Sequence, residues 1–285
     1  MSDLVLATRG SALALAQTRL VAEALQAAHR GLTVTVLEVT TQGDRDRTTP
    51  VTELTEMGAF VRAVQQAVLD GSADLAVHSC KDLPTAGPDG LVAFYPKRAA
   101  PWDVLCGTTL DDLPRGGRVG TGSPRRAAQL GVLRPDVEMA EIRGNVGTRL
   151  DQVDRGDFDA IVLAEAGLRR LGMEDRIAHR FSLEEMVPAP AQAAIAVEGR
   201  EGSSASELAA AIDDATTRRA VEAERSLLAR TGAGCRAALG ALATTDDSGI
   251  TLTAFVHDEA GTRRARVTGS DPDEASRLAQ ERLGL

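Results

Sequence analysis

Apolar and polar positions along the first third of the chain follow two rhythms. Leu4–Thr8 is a short apolar run that reads as a strand, and Ser11 is placed to cap a helix reaching about His29. Leu32–Thr40 alternates with the period of two of a half-buried strand. Gly58–Leu69 switches to helical period, with Phe60, Val61, Val64 and Val68 on one face. Leu75–His78 and Leu91–Tyr95 return to strand-like runs. This βαβα order predicts a largely parallel, doubly wound sheet.

The rhythm restarts after Pro101-Trp102. Strands are expected at Val104–Gly107, Arg118–Gly120, Val137–Arg143 and Phe158–Ala164, with helices from about Pro124 and from Asn145, a plausible N-cap. No internal sequence repeat links this second α/β domain to the first. Val187-Pro188-Ala189-Pro190-Ala191-Gln192 is a proline-rich crossing, and the apolar Ala193–Val197 returns the chain to the first domain. A helix over Thr217–Arg230, strands near Ile250–His257 and Arg264–Gly269, and a helix over Asp273–Leu283 predict a small α+β domain with an antiparallel sheet. The boundaries are 1–96 plus 193–213, 97–192 and 214–285.

The 285 residues suffice for two or three domains, and 43% hydrophobic with 26% charged residues is ordinary globular composition. No apolar run is long enough for a transmembrane helix, and Met1-Ser2-Asp3-Leu4 lacks a basic, apolar leader, which predicts a cytoplasmic protein. A net charge of −9 and 2% aromatic residues argue against nucleic acid as a partner. Cys80, Cys106 and Cys235 are widely spaced and no C-x-x-C pair occurs, so free thiols are expected and no metal site. Two lysines, Lys81 and Lys97, stand against 30 arginines, which makes Lys81 conspicuous.

Ligands of open α/β sheets gather at the C-terminal ends of strands. Four stretches sit there: Arg9-Gly10-Ser11, His78–Asp82, Thr121–Arg126 and Arg143-Gly144-Asn145. Each sets small and polar residues, mostly with arginine, at a strand-to-helix junction, where free amides and a planar guanidinium suit an anion. One such turn starts a helix in most proteins; four together point to a ligand with several negative groups. The Walker and G-x-G-x-x-G patterns do not occur at these junctions, so nucleotide binding is unsupported. Asp82 can hold N–H donors or steady a developing cation, or it simply caps the turn before Pro84. A Cys80–His78 nucleophile pair is conceivable. Cys235 lies on a glycine-flanked loop beside Arg236, which favours thiolate.

In chain order, Ala7-Thr8-Arg9-Gly10-Ser11, Val77-His78-Ser79-Cys80-Lys81-Asp82-Leu83-Pro84, Gly120–Arg126, Arg143-Gly144-Asn145-Val146-Gly147-Thr148-Arg149-Leu150 and Gly234-Cys235 resemble the porphobilinogen deaminase (hydroxymethylbilane synthase) family. The resemblance implies two periplasmic-binding-protein-like α/β domains flanking an active-site cleft, plus a small α+β domain with a three-stranded antiparallel sheet. It implies a monomeric transferase of haem biosynthesis that joins four porphobilinogen molecules into a linear tetrapyrrole, passed on to uroporphyrinogen-III synthase. Its dipyrromethane cofactor would be tethered by a thioether to Cys235, with Asp82 as the catalytic carboxylate. Lys81, Asp82, Thr121, Ser123, Arg125, Arg126, Arg143 and Gly144 would hold the cofactor. Arg9, Ser11, Phe60, Arg143, Asn145, Arg149, Arg170 and Gln192 would serve substrate or the growing chain, and Cys80 drops out as a nucleophile.

Three departures from the family pattern matter. Leu54-Thr55-Glu56-Met57-Gly58 replaces a lysine-bearing glycine-rich loop, Ala191-Gln192-Ala193-Ala194 lacks glycines beside the glutamine, and Ala237 follows Cys235-Arg236 where proline is more usual. Two rivals explain less. A solute-binding module accounts for the arginines but not the cysteine loop, and a thiol hydrolase leaves the arginines idle.

Overall fold

β1 (Asp3–Arg9) and β2 (Thr33–Val39) run parallel, with Asp3 opposite Thr33 and Arg9 opposite Val39. The crossover between them is α1 (Ala12–Ala28), whose Val21 and Leu25 pack on Leu4, Leu6 and Leu75. Each such fully buried aliphatic side chain contributes about 1.5–3 kcal/mol. The computed structural model describes residues 3–39, 56–232 and 238–285, without the side chains of 56–59. Leu54, Thr55 and Cys235 lie outside the described residues.

The chain divides into two compact units, Met1–Arg98 with Ala194–Arg218, and Ala99–Ala193 with Arg219–Leu285. The first holds a five-stranded sheet of order β2-β1-β3-β10-β4, where β3 is Leu75–Ser79, β4 is Leu91–Phe94 and β10 is Ile195–Arg200. α2 (Glu56–Leu69) lays Val64 and Val68 on Ala7 and Ala76, the face its period predicts. α6 (Ser204–Ala210) packs Ala205 and Ala209 into the core of α1.

The second unit repeats this order with different chain connections: β7-β6-β8-β5-β9, from β5 (Asp103–Cys106), β6 (Arg118–Gly120), β7 (Glu138–Ala140), β8 (Ala160–Ala164) and β9 (Ile177–Arg180). Its helices are α3 (Pro124–Leu133), α4 (Val146–Asp154) and α5 (Glu165–Arg170). The expected largely parallel pairing holds except for one strand per sheet. β10 runs antiparallel to β3 and β4, and β5 to β8 and β9. Parallel neighbours need a long crossover, usually helical. The two opposed strands instead enter directly from the crossing segments, so nothing imposes the parallel direction.

A three-stranded antiparallel sheet follows, β11 (Ala238–Asp246), β12 (Gly249–Asp258) and β13 (Gly261–Gly269). α7 (Ala215–Arg230) and α8 (Pro272–Leu283) cover it through Leu227, Ala275 and Ala279. Gly240 of β11 is held to Val187: a Cβ there would stand 2.7 Å from the Val187 carbonyl oxygen. The Ala241 N–H donates to Pro188 O at 2.8 Å, tying the sheet to the proline-rich crossing.

Candidate active site

In the first unit, three neighbouring structures meet at one sheet edge. β1 ends at Arg9, and Ser11 caps α1, its hydroxyl accepting from the Ala14 N–H at 3.3 Å. β3 ends at Ser79 and coils into a 3-10 turn, Cys80–Asp82, closed by the Leu83 N–H on Cys80 O at 3.1 Å. The turn answers why an apolar strand ends in polar residues: Cys80 turns inward at 0% exposure, leaving Asp82 at the rim. α2 supplies Phe60, whose ring lies 4.0 Å from the Arg9 guanidinium carbon. Arg9, Ser11, Phe60, His78, Ser79 and Asp82 line a pocket of about 130 Å³. One wall is braced where Gln17 exchanges hydrogen bonds of 3.0 Å with Ser79. Behind it, His78 Nε2 lies 3.2 Å from the buried Glu198 carboxylate, and that carboxylate accepts from Gln65 Nε2 at 2.9 Å.

In the second unit, β6 leads through Thr121 and Ser123 into α3. The Thr121 hydroxyl accepts from the Ser123 N–H at 3.2 Å, and the Ser123 hydroxyl caps the helix at the Arg126 N–H, 3.4 Å. Arg125 and Arg126, in the first turn, point into the protein at 3% and 7% exposure. Both converge on Asp103, the first residue of β5, which is 0% exposed. Arg125 Nη1 donates to Asp103 Oδ2 and to Val187 O, each at 2.7 Å. Arg126 Nε donates to Asp103 Oδ1 at 2.8 Å and Nη1 to Val162 O at 2.9 Å. Burial would push the Asp103 carboxyl up, but the two guanidiniums outweigh it and hold it well below the usual carboxylate range.

Gln192 joins this network from the crossing segment. Its amide nitrogen donates to Pro101 O at 2.7 Å and to Asp103 Oδ1 at 3.1 Å. The alanines on either side of it occupy the left-handed region, Ala191 at φ 58° and Ala193 at φ 69°. The surroundings hold them there. The Ala191 N–H donates to the Glu224 carboxylate at 2.6 Å, and Ala193 O accepts from Arg170 Nη2 at 2.6 Å.

The fourth junction lies before α4. Asn145 Oδ1 caps the helix at the Thr148 N–H, 2.9 Å, and Gly144 holds φ 108° against the Thr148 side chain. Arg149 Nε donates to Gly144 O at 2.8 Å, and Arg143 pairs with Glu141. Burial, then the charges of Arg126 and Arg143, push the Arg149 guanidinium down from its ordinary value. Burial alone takes Arg170 down to about 10. The charged form of a guanidinium held down by burial and like charge is favoured again when an anion binds beside it.

The second unit thus brings together Thr121, Ser123, Arg125, Arg126, Arg143, Gly144, Asn145 and Arg149, and the first brings together Arg9, Ser11, Phe60 and Asp82, with Lys81 in the same turn. Arg125, Arg126 and Gln192 have internal partners that sequence reasoning did not anticipate. Asp103, Glu198 and Gln65 were missed altogether. The available signal was a charge breaking an apolar run, in Trp102-Asp103-Val104 and Val197-Glu198-Gly199. Among the described residues no cluster of His, Cys, Asp and Glu could hold a metal ion.

The sequence model of "porphobilinogen deaminase, dipyromethane cofactor binding domain" matches residues 4–207, and that of the "porphobilinogen deaminase, C-terminal domain" matches residues 218–283. A porphobilinogen deaminase of Roseiflexus castenholzii is 45% identical, covering 99% of this chain and 96% of its own. One from Acidothermus cellulolyticus is also 45% identical, over 98% and 87%. Among solved structures, substrate binding domain 2 of Lactococcus lactis GlnP aligns with a TM-score of 0.44 at 12% identity, covering 81% of this chain and 91% of that one. Family models spanning both parts of the chain, with relatives this similar over nearly its whole length, leave one conclusion: the chain belongs to the porphobilinogen deaminase family.

Proposed function

We propose that this chain is a transferase that joins four porphobilinogen molecules head to tail into hydroxymethylbilane, releasing ammonia each time. The observation that carries the reading is the guanidinium surplus of the second unit: Arg125 and Arg126 share one buried carboxylate, Asp103, and burial with the charges of Arg126 and Arg143 holds the Arg149 guanidinium below its ordinary value. Every pyrrole of the substrate and product carries acetate and propionate groups, so the ligand is a polycarboxylate and matches that surplus.

The same residues fit the family's dipyrromethane. Arg125, Arg126, Arg143, Thr121, Ser123, Gly144 and Lys81 would hold its carboxylates, and Cys235 would carry its thioether. When bound, the group supplies the primer that incoming units extend. Arg9 and Ser11 take the carboxylates of an entering pyrrole, and Phe60 holds the Arg9 guanidinium over its ring. Asp82 accepts from the pyrrole N–H and stabilises the positive charge left on the substrate methylene as ammonia departs. Asn145, Arg149, Arg170 and Gln192 serve the lengthening product.

This reading divides the chain into three domains at 96/97, 192/193 and 213/214. It places a monomer in the cytoplasm that hands its product to uroporphyrinogen-III synthase. Among the described residues no helix is long and apolar enough to cross a membrane. Asp82→Asn tests the chemistry: ammonia release should fall by about 10² or more, the usual scale for a lost positioned acid–base group, with the thermal midpoint unchanged. Ammonia release at the wild-type rate would remove Asp82 from the mechanism.

A further inference from the structure

Three residues that would individually reach for ligand carboxylates, Arg125, Arg126 and Gln192, all meet one carboxylate of the protein itself. Asp103 is 0% exposed and accepts from two side chains of the α3 first turn and from the crossing segment. Each arginine also reaches a backbone carbonyl beyond it, Arg125 at Val187 and Arg126 at Val162. Orientation of both guanidinium planes is therefore fixed from one point. Gln129 reinforces it, donating to Val187 O at 3.0 Å and accepting from the Val187 N–H at 2.8 Å.

Charge makes the same point. Two guanidiniums against one carboxylate leave a single positive charge, and Arg126 is the member of the pair whose charge bears on Arg149. A buried Arg–Asp–Arg triad is weak as a stabilising device, since apolar residues of like volume often serve folding as well or better. What such a triad does supply is geometry.

We propose that Asp103 is a positioning residue of the anion site: it aligns Arg126 for a ligand carboxylate and anchors Arg125 and Gln192 beside it. Asp103 does not itself touch ligand. This inference rests on the function proposed above, in that the ligand whose retention reports the alignment is the dipyrromethane.

The test reads cofactor retention by intact mass rather than turnover, on purified holoprotein, with Cys235→Ser as the unloaded blank and thermal midpoints measured alongside. Asp103→Glu keeps the charge and moves it by one methylene. Its loaded fraction should drop at least threefold, because alignment is lost while neutralisation is kept. The paired variant Asp103→Leu with Arg125→Met removes one charge of each sign, keeps the net charge and fills the space, and is read against Arg125→Met alone. It should hold its midpoint within a few degrees and lose cofactor about tenfold beyond the single arginine variant. Full loading of either variant overturns the proposal, as does a loss of loading that merely tracks a fall in midpoint. Should the paired variant not fold, the glutamate variant decides alone. A wild-type protein without added mass would instead overturn the proposed function, so the two failures are distinguishable.

Discussion

Arg149 carries a cost that its neighbours impose. Burial and the charges of Arg126 and Arg143 disfavour its charged form, and no carboxylate offsets this among its described contacts. Arg149→Met should therefore stabilise the unliganded protein by up to about 1 kcal/mol, the trade expected of a site built for function, while elongation stalls at short products. A calorimetric midpoint and a product-length assay check both halves. Asp103 has the opposite character. Its folded-state pKa is depressed, so its stabilisation is complete above the unfolded value of about 4 and disappears as pH falls through the folded value. Midpoints measured from pH 7 to pH 2 should stay level on its account until pH 4 and then fall. Cys106 is inert for a simpler reason: burial pushes its thiol up to about 11. Native protein treated with iodoacetamide at pH 8 should show Cys106 unmodified on peptide mapping.

At the scale of elements, the crossing segment is the place where local preference is overridden. An alanine in the left-handed region costs roughly 1–2 kcal/mol, and the Glu224 and Arg170 contacts hold two of them there. Ala191→Gly and Ala193→Gly each relieve that cost and add back about 0.5–1 kcal/mol of unfolded-chain entropy. Each also loses a buried methyl worth about 0.8 kcal/mol, so the midpoints should stay nearly level, and a fall of many degrees would contradict the strain. Helix starts were legible because their signals are local: Ser11 and Asn145 cap as the sequence pattern indicates, and α3 begins at Pro124 as expected. β9, α5 and α6 were not, being four to seven residues long and too short to show a period. The opposed strands β5 and β10 escaped for another reason. Their direction is set by where the chain re-enters a sheet, which hydrophobic spacing does not encode.

Taken whole, the molecule concentrates opposite charge locally against its own sign. The net charge is −9, yet guanidiniums gather where the family signature falls. An anionic substrate is thus drawn by near contacts and repelled at distance, and salt screens both over about 8–10 Å at 0.1–0.15 M. The candidate site was legible to the extent that it is contiguous: four short motifs at strand ends gave Arg9, Asp82, Arg126 and Arg143, and the family resemblance added Arg149. Asp103, Glu198 and Gln65 were not legible because each acts through partners 22 to 133 residues away. The two five-stranded sheets share one strand order without a sequence repeat, so the fold constrains spacing and burial rather than residue identity. The central claim is that these arginines serve a primer tethered through sulfur. Intact mass of the purified protein and of Cys235→Ser tests it most directly. The expected result is an excess of one dipyrromethane on the first and none on the second; an active protein at its bare sequence mass would contradict it.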